Sequence, residues 1–217
     1  MPWPFAAQLF PGDLVCVEVS PLPEEWTLHP LEAAVLARAN VTRRREFAAG
    51  RTLARRALRE LGFPDAPLLA GPDRAPAWPT GAVGSISHTA DYCVVVVARK
   101  PPYRSLGVDA EPDTPLEAEL WPQICTPTEL EWLAAQPAAR RGLLCHVLFA
   151  IKESVYKYQA PISGTMLEFR DVEVEFDGAA SGFRAVILRP GVPGFPAGTV
   201  VLGRTRIADG LILAGVH

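Results

Sequence analysis

The hydrophobic pattern separates this chain into stretches that alternate with period two, stretches with helical period, and proline-rich connectors between them. Asp13 to Val19 alternates as a strand does, and Pro21 to Pro23 stops it. From His29 onward Leu31, Val35 and Leu36 predict a helix that breaks near Asn40. A second helix is expected over about Arg43 to Leu61, with Phe47, Ala54, Leu58 and Leu61 on one apolar stripe and Arg44, Arg51, Arg55 and Arg59 away from it. After the Gly-Pro-rich loop around Gly71 to Pro79, Ser85 to His88 alternates, and Tyr92 to Ala98 is a continuous apolar run. These read as paired strands, the second fully buried.

The next strand is expected to end at Leu106-Gly107-Val108-Asp109-Ala110-Glu111-Pro112. A pleated strand sends every second side chain to the same face, so Asp109 and Glu111 share one side. Two carboxylates so close repel unless a cation lies between them, and hard oxygen ligands suit Mg²⁺. A solvated turn is the bland alternative for an isolated pair of this kind.

Beyond it, Leu116 to Trp121 predicts a short helix. Thr126-Pro127-Thr128-Glu129 opens another, with Thr126 as N-cap, Pro127 in the first turn and Glu129 completing a capping box, a structural role for that carboxylate ahead of a catalytic one. A longer helix is expected from about Ala139 to Gln159, burying Leu144, Leu148, Ile151 and Val155. At about 100° per residue, Glu153 and Lys157 fall on the far side from Ile151 and Val155 and adjoin each other. Phe169 to Phe176, Phe183 to Leu188, Thr199 to Ile207 and Leu211 to Val216 read as strands, with turns at Asp177-Gly178 and Asp209-Gly210. Helices, strands, acidic pair, helices, strands: the order fits an α+β protein of two halves meeting near residue 110.

Composition narrows the chemistry. The 217 residues are 49% hydrophobic and carry a net charge of -3, so anion binding must come from local basic clusters and nothing favours nucleic acid. Cys16, Cys93, Cys125 and Cys145 are scattered, without zinc spacing, and read as reduced thiols of a cytoplasmic protein. No stretch approaches the roughly 20 apolar residues of a membrane span. His88, set among Ser85, Ser87 and Thr89, stands in a donor-rich setting that suits a phosphate or ribose.

Four motifs in order then carry a resemblance: R-R-R-E-F-A-A-G-R at 43 to 51, G-S-I-S-H at 84 to 88, G-V-D-A-E at 107 to 111 and F-A-I-K-E-S-V-Y-K at 149 to 157. Together they resemble the 4′-phosphopantetheinyl transferase superfamily, and within it the enterobactin-synthase-associated type, more distantly the surfactin type. Phe149 and Ser154 stand where many members have tryptophan and alanine, as in the enterobactin group.

The resemblance implies two similar α/β subdomains related by a pseudo-twofold axis, residues 1–108 on the adenosine side of coenzyme A and 109–217 carrying the metal and the catalytic helix, with the active cleft between them. It implies transfer of phosphopantetheine from coenzyme A to a serine of an acyl or peptidyl carrier protein by a monomeric, Mg²⁺- or Mn²⁺-dependent enzyme, releasing adenosine 3′,5′-bisphosphate. Asp109, Glu111 and Glu153 would hold the metal, with Glu153 also the base. Lys157 would balance charge on the phosphates, with Lys152 beside it. Arg43, Arg44, Arg51, Arg74, Ser87 and His88 would hold the 3′-phosphate end. Two rivals are a silent nucleotide-binding module, which would need only the basic clamp, and a metal-dependent phosphohydrolase using water in place of serine.

Overall fold

The computed structural model describes residues 5–36, 39–71, 75–177 and 181–217. The chain forms two compact units, Met1–Leu106 and Gly107–His217.

In the first unit, β1 (Val15–Val19), α1 (Pro30–Ala33), α2 (Val41–Glu60), β2 (Ala82–His88) and β3 (Cys93–Arg99) follow one another. The strands form an antiparallel sheet in the order β1-β3-β2. The apolar run of β3 is buried throughout and ends at exposed Arg99. Its Cys93, Val95 and Val97 share a core with Ala49, Leu53, Ala54, Ala57 and Leu58 of α2. Asn40, expected as a break, is the N-cap of α2: its side chain accepts the Arg43 backbone N–H at 2.8 Å, which satisfies one of the helix's open donors. The helix expected from His29 is only the one turn of α1, continued by a 3-10 turn, and leaves Leu31 and Val35 exposed.

The second unit contains β4 (Gly107–Pro112), α3 (Trp121–Ile124), α4 (Pro127–Ala134), α5 (Ala138–Ser163), β5 (Val172–Phe176), β6 (Gly182–Ile187), β7 (Val200–Ala208) and β8 (Leu211–Val216). Its sheet is antiparallel in the order β4-β8-β7-β6-β5. Each unit therefore pairs its first strand with its last and inserts its longest helix after the first strand, which gives the α+β class expected from the sequence. The helix expected from Leu116 begins later, at Ala118, with Pro122 in the first turn of α3. Asp209 and Gly210, both with positive φ, close the β7–β8 hairpin. Gly178 of the other expected turn lies outside the described residues. No described helix is long and apolar enough to cross a membrane.

Helix α5 organises this unit. Leu148, Ile151 and Val155 are fully buried in one core with Val172, Ile187, Ile212 and Ala214 of the sheet. Each such side chain contributes roughly 1.5–3 kcal/mol on burial. The helix runs past the expected end at Gln159, through Pro161 in its last turn, and stops where Gly164 takes the left-handed conformation at φ 64°. Against β4 it packs so closely that a Cβ added to Gly107 would run into the Ser154 carbonyl oxygen. Gly107→Ala is therefore expected to push α5 off the strand and cost about 1–3 kcal/mol, read as a lower melting temperature. An unchanged melt would contradict that packing.

Candidate active site

The alternation of β4 turns Asp109 and Glu111 toward α5, where two side chains meet them. Lys157 donates from Nζ to Asp109 Oδ1 at 2.6 Å and to the Val108 carbonyl at 3.2 Å. Three turns earlier on the same helix, His146 places Nε2 3.5 Å from Glu111 Oε2 and donates from Nδ1 to the Thr114 carbonyl at 2.7 Å. Glu153 lies between them on that stripe, seven residues after His146 and four before Lys157. Burial raises the Glu153 carboxyl above its ordinary range, and the Asp109 charge raises it further. Lys157 offsets part of this, and Glu111 adds to it. Three carboxylates thus feel one another in a partly buried place.

Beside them opens a pocket of about 880 Å³. Glu111, Glu153 and His146 form its polar edge, and Leu116, Phe149, Tyr156, Met166 and Phe169 are among its apolar walls. The Phe149 and Phe169 rings pack at 5.2 Å. A site of this kind suits a ligand with an apolar or amide-bearing body and a charged end.

Lys152 departs from expectation. Its side chain reaches the pocket wall, but the ammonium is buried and all three of its donors are spent: on Glu129 Oε2 at 2.6 Å, the Ile124 carbonyl at 2.8 Å and the Phe169 carbonyl at 3.0 Å. Burial lowers its pKa and the Glu129 charge opposes that. This departs from the sequence expectation that Lys152 binds coenzyme A beside Lys157, because a buried ammonium must keep its acceptors. Glu129, for its part, caps α4 as predicted, accepting the Thr126 N–H at 2.7 Å, and also accepts the Val174 N–H at 2.7 Å. It is fully committed to structure.

In the first unit a basic group forms where α2 meets β2. Arg43 Nη1 lies 3.4 Å from His88 Nε2, and Glu46 lies 3.7 Å from His88 Nδ1. Ser87, the neighbour of His88, is buried. Arg51 was expected on the exposed side of α2, yet it is 5% exposed, with its guanidinium over the Phe47 ring at 4.5 Å. Burial depresses it to about 10, Glu32 opposes the drop and the Arg43 charge adds to it. Arg43 and Arg51 therefore sense each other across two turns of helix.

Arg44 is not brought to this group. One residue further round the helix, it donates from Nε to the Ala39 carbonyl at 2.9 Å and lines a different pocket with Arg45 and Trp26, which corrects its expected place beside Arg43. Arg74 lies outside the described residues. Of the site side chains, His146 was missed. Its only trace in the letters is an imidazole between Cys145 and Val147, an apolar setting that marks a buried polar group in need of a partner.

A model of the 4′-phosphopantetheinyl transferase N-terminal domain matches residues 31–98, and one of the 4′-phosphopantetheinyl transferase superfamily matches residues 105–193. The chain is 41% identical over 191 residues to 4′-phosphopantetheinyl transferase Svp of Streptomyces mobaraensis, covering 87% of this chain and 78% of that one. It is 36% identical over 218 residues to 4′-phosphopantetheinyl transferase Npt of Nocardia iowensis, covering 96% and 97%. Similarity to enterobactin synthase component D of Escherichia coli O157:H7, 39% over 126 residues, spans 57% of this chain and 58% of that one.

Proposed function

Because the chain belongs to the 4′-phosphopantetheinyl transferase superfamily, we propose that it moves phosphopantetheine from coenzyme A to a serine hydroxyl of an acyl or peptidyl carrier protein, releasing adenosine 3′,5′-bisphosphate. The observation that carries this reading is the β4–α5 cluster of Asp109, Glu111, Glu153 and Lys157 at the edge of an apolar pocket.

The donor set fits Mg²⁺. Its oxygens are hard, and the upward push that Asp109 and Glu111 exert on Glu153 is the repulsion a dication relieves. Among the described residues no three His, Cys, Asp or Glu side chains form a ready cage, and Mg²⁺ needs none, since it keeps waters and substrate phosphate as ligands. Asp109, Glu111 and Glu153 would hold it, and when bound it neutralises charge on the pyrophosphate.

In this reading Glu153 accepts the serine proton as the serine oxygen forms its bond to the phosphorus that carries pantetheine. The bond from that phosphorus to the bridging oxygen breaks, and the bisphosphate leaves with the electron pair. Lys157 holds Asp109 in place, and in this reading its positive charge offsets that of the phosphates. The pocket takes the pantetheine arm, whose amides and alkyl carbons suit walls such as Phe149 and Tyr156.

Arg43, Arg51, Ser87 and His88 hold the 3′-phosphate end. Dephospho-coenzyme A is then expected to bind about ten- to a hundredfold more weakly than coenzyme A, the worth of one charged hydrogen bond. Arg51→Ala should narrow the gap. Equal affinities of the two compounds for the wild type would contradict this assignment. Mass spectrometry of a panel of acyl and peptidyl carrier proteins, each incubated with enzyme, coenzyme A and Mg²⁺, tests the function and finds the class preferred.

A further inference from the structure

We propose that His146 is a positioning residue for Glu111, fixing where that carboxylate stands and so how well the β4–α5 cluster takes a divalent cation. The inference rests on the metal reading above. Its ground is a bridge of three groups from three places: the Thr114 carbonyl just beyond β4, the His146 ring on α5, and the Glu111 carboxylate on β4 itself. A carbonyl and a carboxylate oxygen both only accept, so a ring that bridges them carries a proton on each nitrogen, donating from Nδ1 to Thr114 at 2.7 Å and turning Nε2–H toward Glu111, 3.5 Å away.

The ring has little freedom to do otherwise. It is 5% exposed, and the Phe149 ring packs against it at 5.9 Å. The Thr114 side of the bridge is equally fixed. Leu116 donates its backbone N–H to the Gly142 carbonyl at 3.1 Å, and a Cβ on Gly142 would approach the Leu116 carbonyl to 2.8 Å, so the start of α5 lies directly on the segment after β4. Trp121 ties the same segment by donating from Nε1 to the Leu116 carbonyl at 3.1 Å. Glu111 is the more exposed of the two β4 carboxylates, with a side chain at 28% against 3% for Asp109. Asp109 is held by burial and by Lys157, whereas Glu111, near the end of the strand, depends on His146 for its orientation. Partners standing behind a metal ligand typically change metal affinity by ten- to a hundredfold when removed.

Two substitutions separate this role from a structural one. His146→Asn keeps an amide at the Nδ1 position, able to bond Thr114, but is too short to reach Glu111; His146→Gln reaches the Nε2 position. Mn²⁺ serves as the probe, its free fraction read by electron paramagnetic resonance during titration of the full chain with saturating coenzyme A. We expect His146→Asn to weaken Mn²⁺ binding by about tenfold and His146→Gln to stay within about threefold of wild type. Mn²⁺ affinity of His146→Asn within twofold of wild type, or His146→Gln no better than His146→Asn, overturns the proposal. If the Asn chain does not fold, the Gln chain decides, and an affinity more than tenfold below wild type overturns it. Glu111→Ala is titrated alongside. If that variant still binds Mn²⁺ as the wild type does, the metal assignment itself has failed and the role of His146 fails with it; if it loses Mn²⁺ while His146→Asn does not, only the role of His146 is lost.

Discussion

Glu153→Gln is expected to lower the transfer rate by about 10²-fold or more while coenzyme A still binds within a fewfold of wild type. The substitution keeps the size of the side chain and one carbonyl oxygen, and removes the charge and the basicity. If Glu153 were merely half of an exposed i,i+4 pair with Lys157, the change would cost no more than about 0.5 kcal/mol and leave turnover alone. The surroundings favour the larger effect, because burial and the charges of Asp109 and Glu111 all raise the Glu153 carboxyl. The direction also has a sign in pH. A base must be deprotonated, so activity should fall as pH drops through the Glu153 pKa of the metal-loaded enzyme, and Glu153→Gln should lose that limb. For stability the sense is opposite. A raised folded pKa stabilises fully below the unfolded value near 4.5 and is lost as pH rises through the folded one. Thermal melts without metal should show that loss and Mg²⁺ should reverse it.

Lys152→Met is expected to act on the fold. Removing the ammonium leaves Glu129, 2% exposed, without its cation, and the Ile124 and Phe169 carbonyls without a donor. Breaking a buried pair on one side costs about 3–5 kcal/mol, which in a chain of this length lowers the melting temperature by roughly 10 °C. Adding Glu129→Gln should recover part of it, since the charge left behind is removed as well. Were Lys152 instead a nucleotide ligand, the melt would hold and affinity for coenzyme A would drop. An unchanged melting temperature would therefore restore the sequence-based assignment.

Where contacts are local, the letters were informative. The capping box of Thr126 and Glu129 and the Leu148, Ile151, Val155 stripe could be read because neighbours within a helix sit at fixed spacing. The acidic pair was legible for the same reason in a strand. What could not be read depends on which distant element arrives. Lys152 and Glu153 are adjacent in an unbroken helical motif, and nothing local says that the first turns inward to a carboxylate 23 residues away while the second turns to the pocket. Arg51 is a case the spacing could have settled: it stands four residues after Phe47 and three before Ala54, so helical period puts it on the apolar stripe, and its burial over Phe47 is the i,i+4 contact that this spacing implies. His146 carried no motif because its partner on one side is a backbone carbonyl, which every residue possesses.

The cluster on β4 and α5 is proposed to transfer phosphopantetheine to a carrier serine. Its most direct test is the intact mass of an apo carrier protein incubated with the enzyme, coenzyme A and Mg²⁺, beside a reaction with Asp109→Asn. Expected are a mass gain of one phosphopantetheine group with the wild type, adenosine 3′,5′-bisphosphate in equal amount, and almost none of either with the variant. Coenzyme A cleaved while every carrier keeps its apo mass, or Asp109→Asn as active as the wild type, would contradict it.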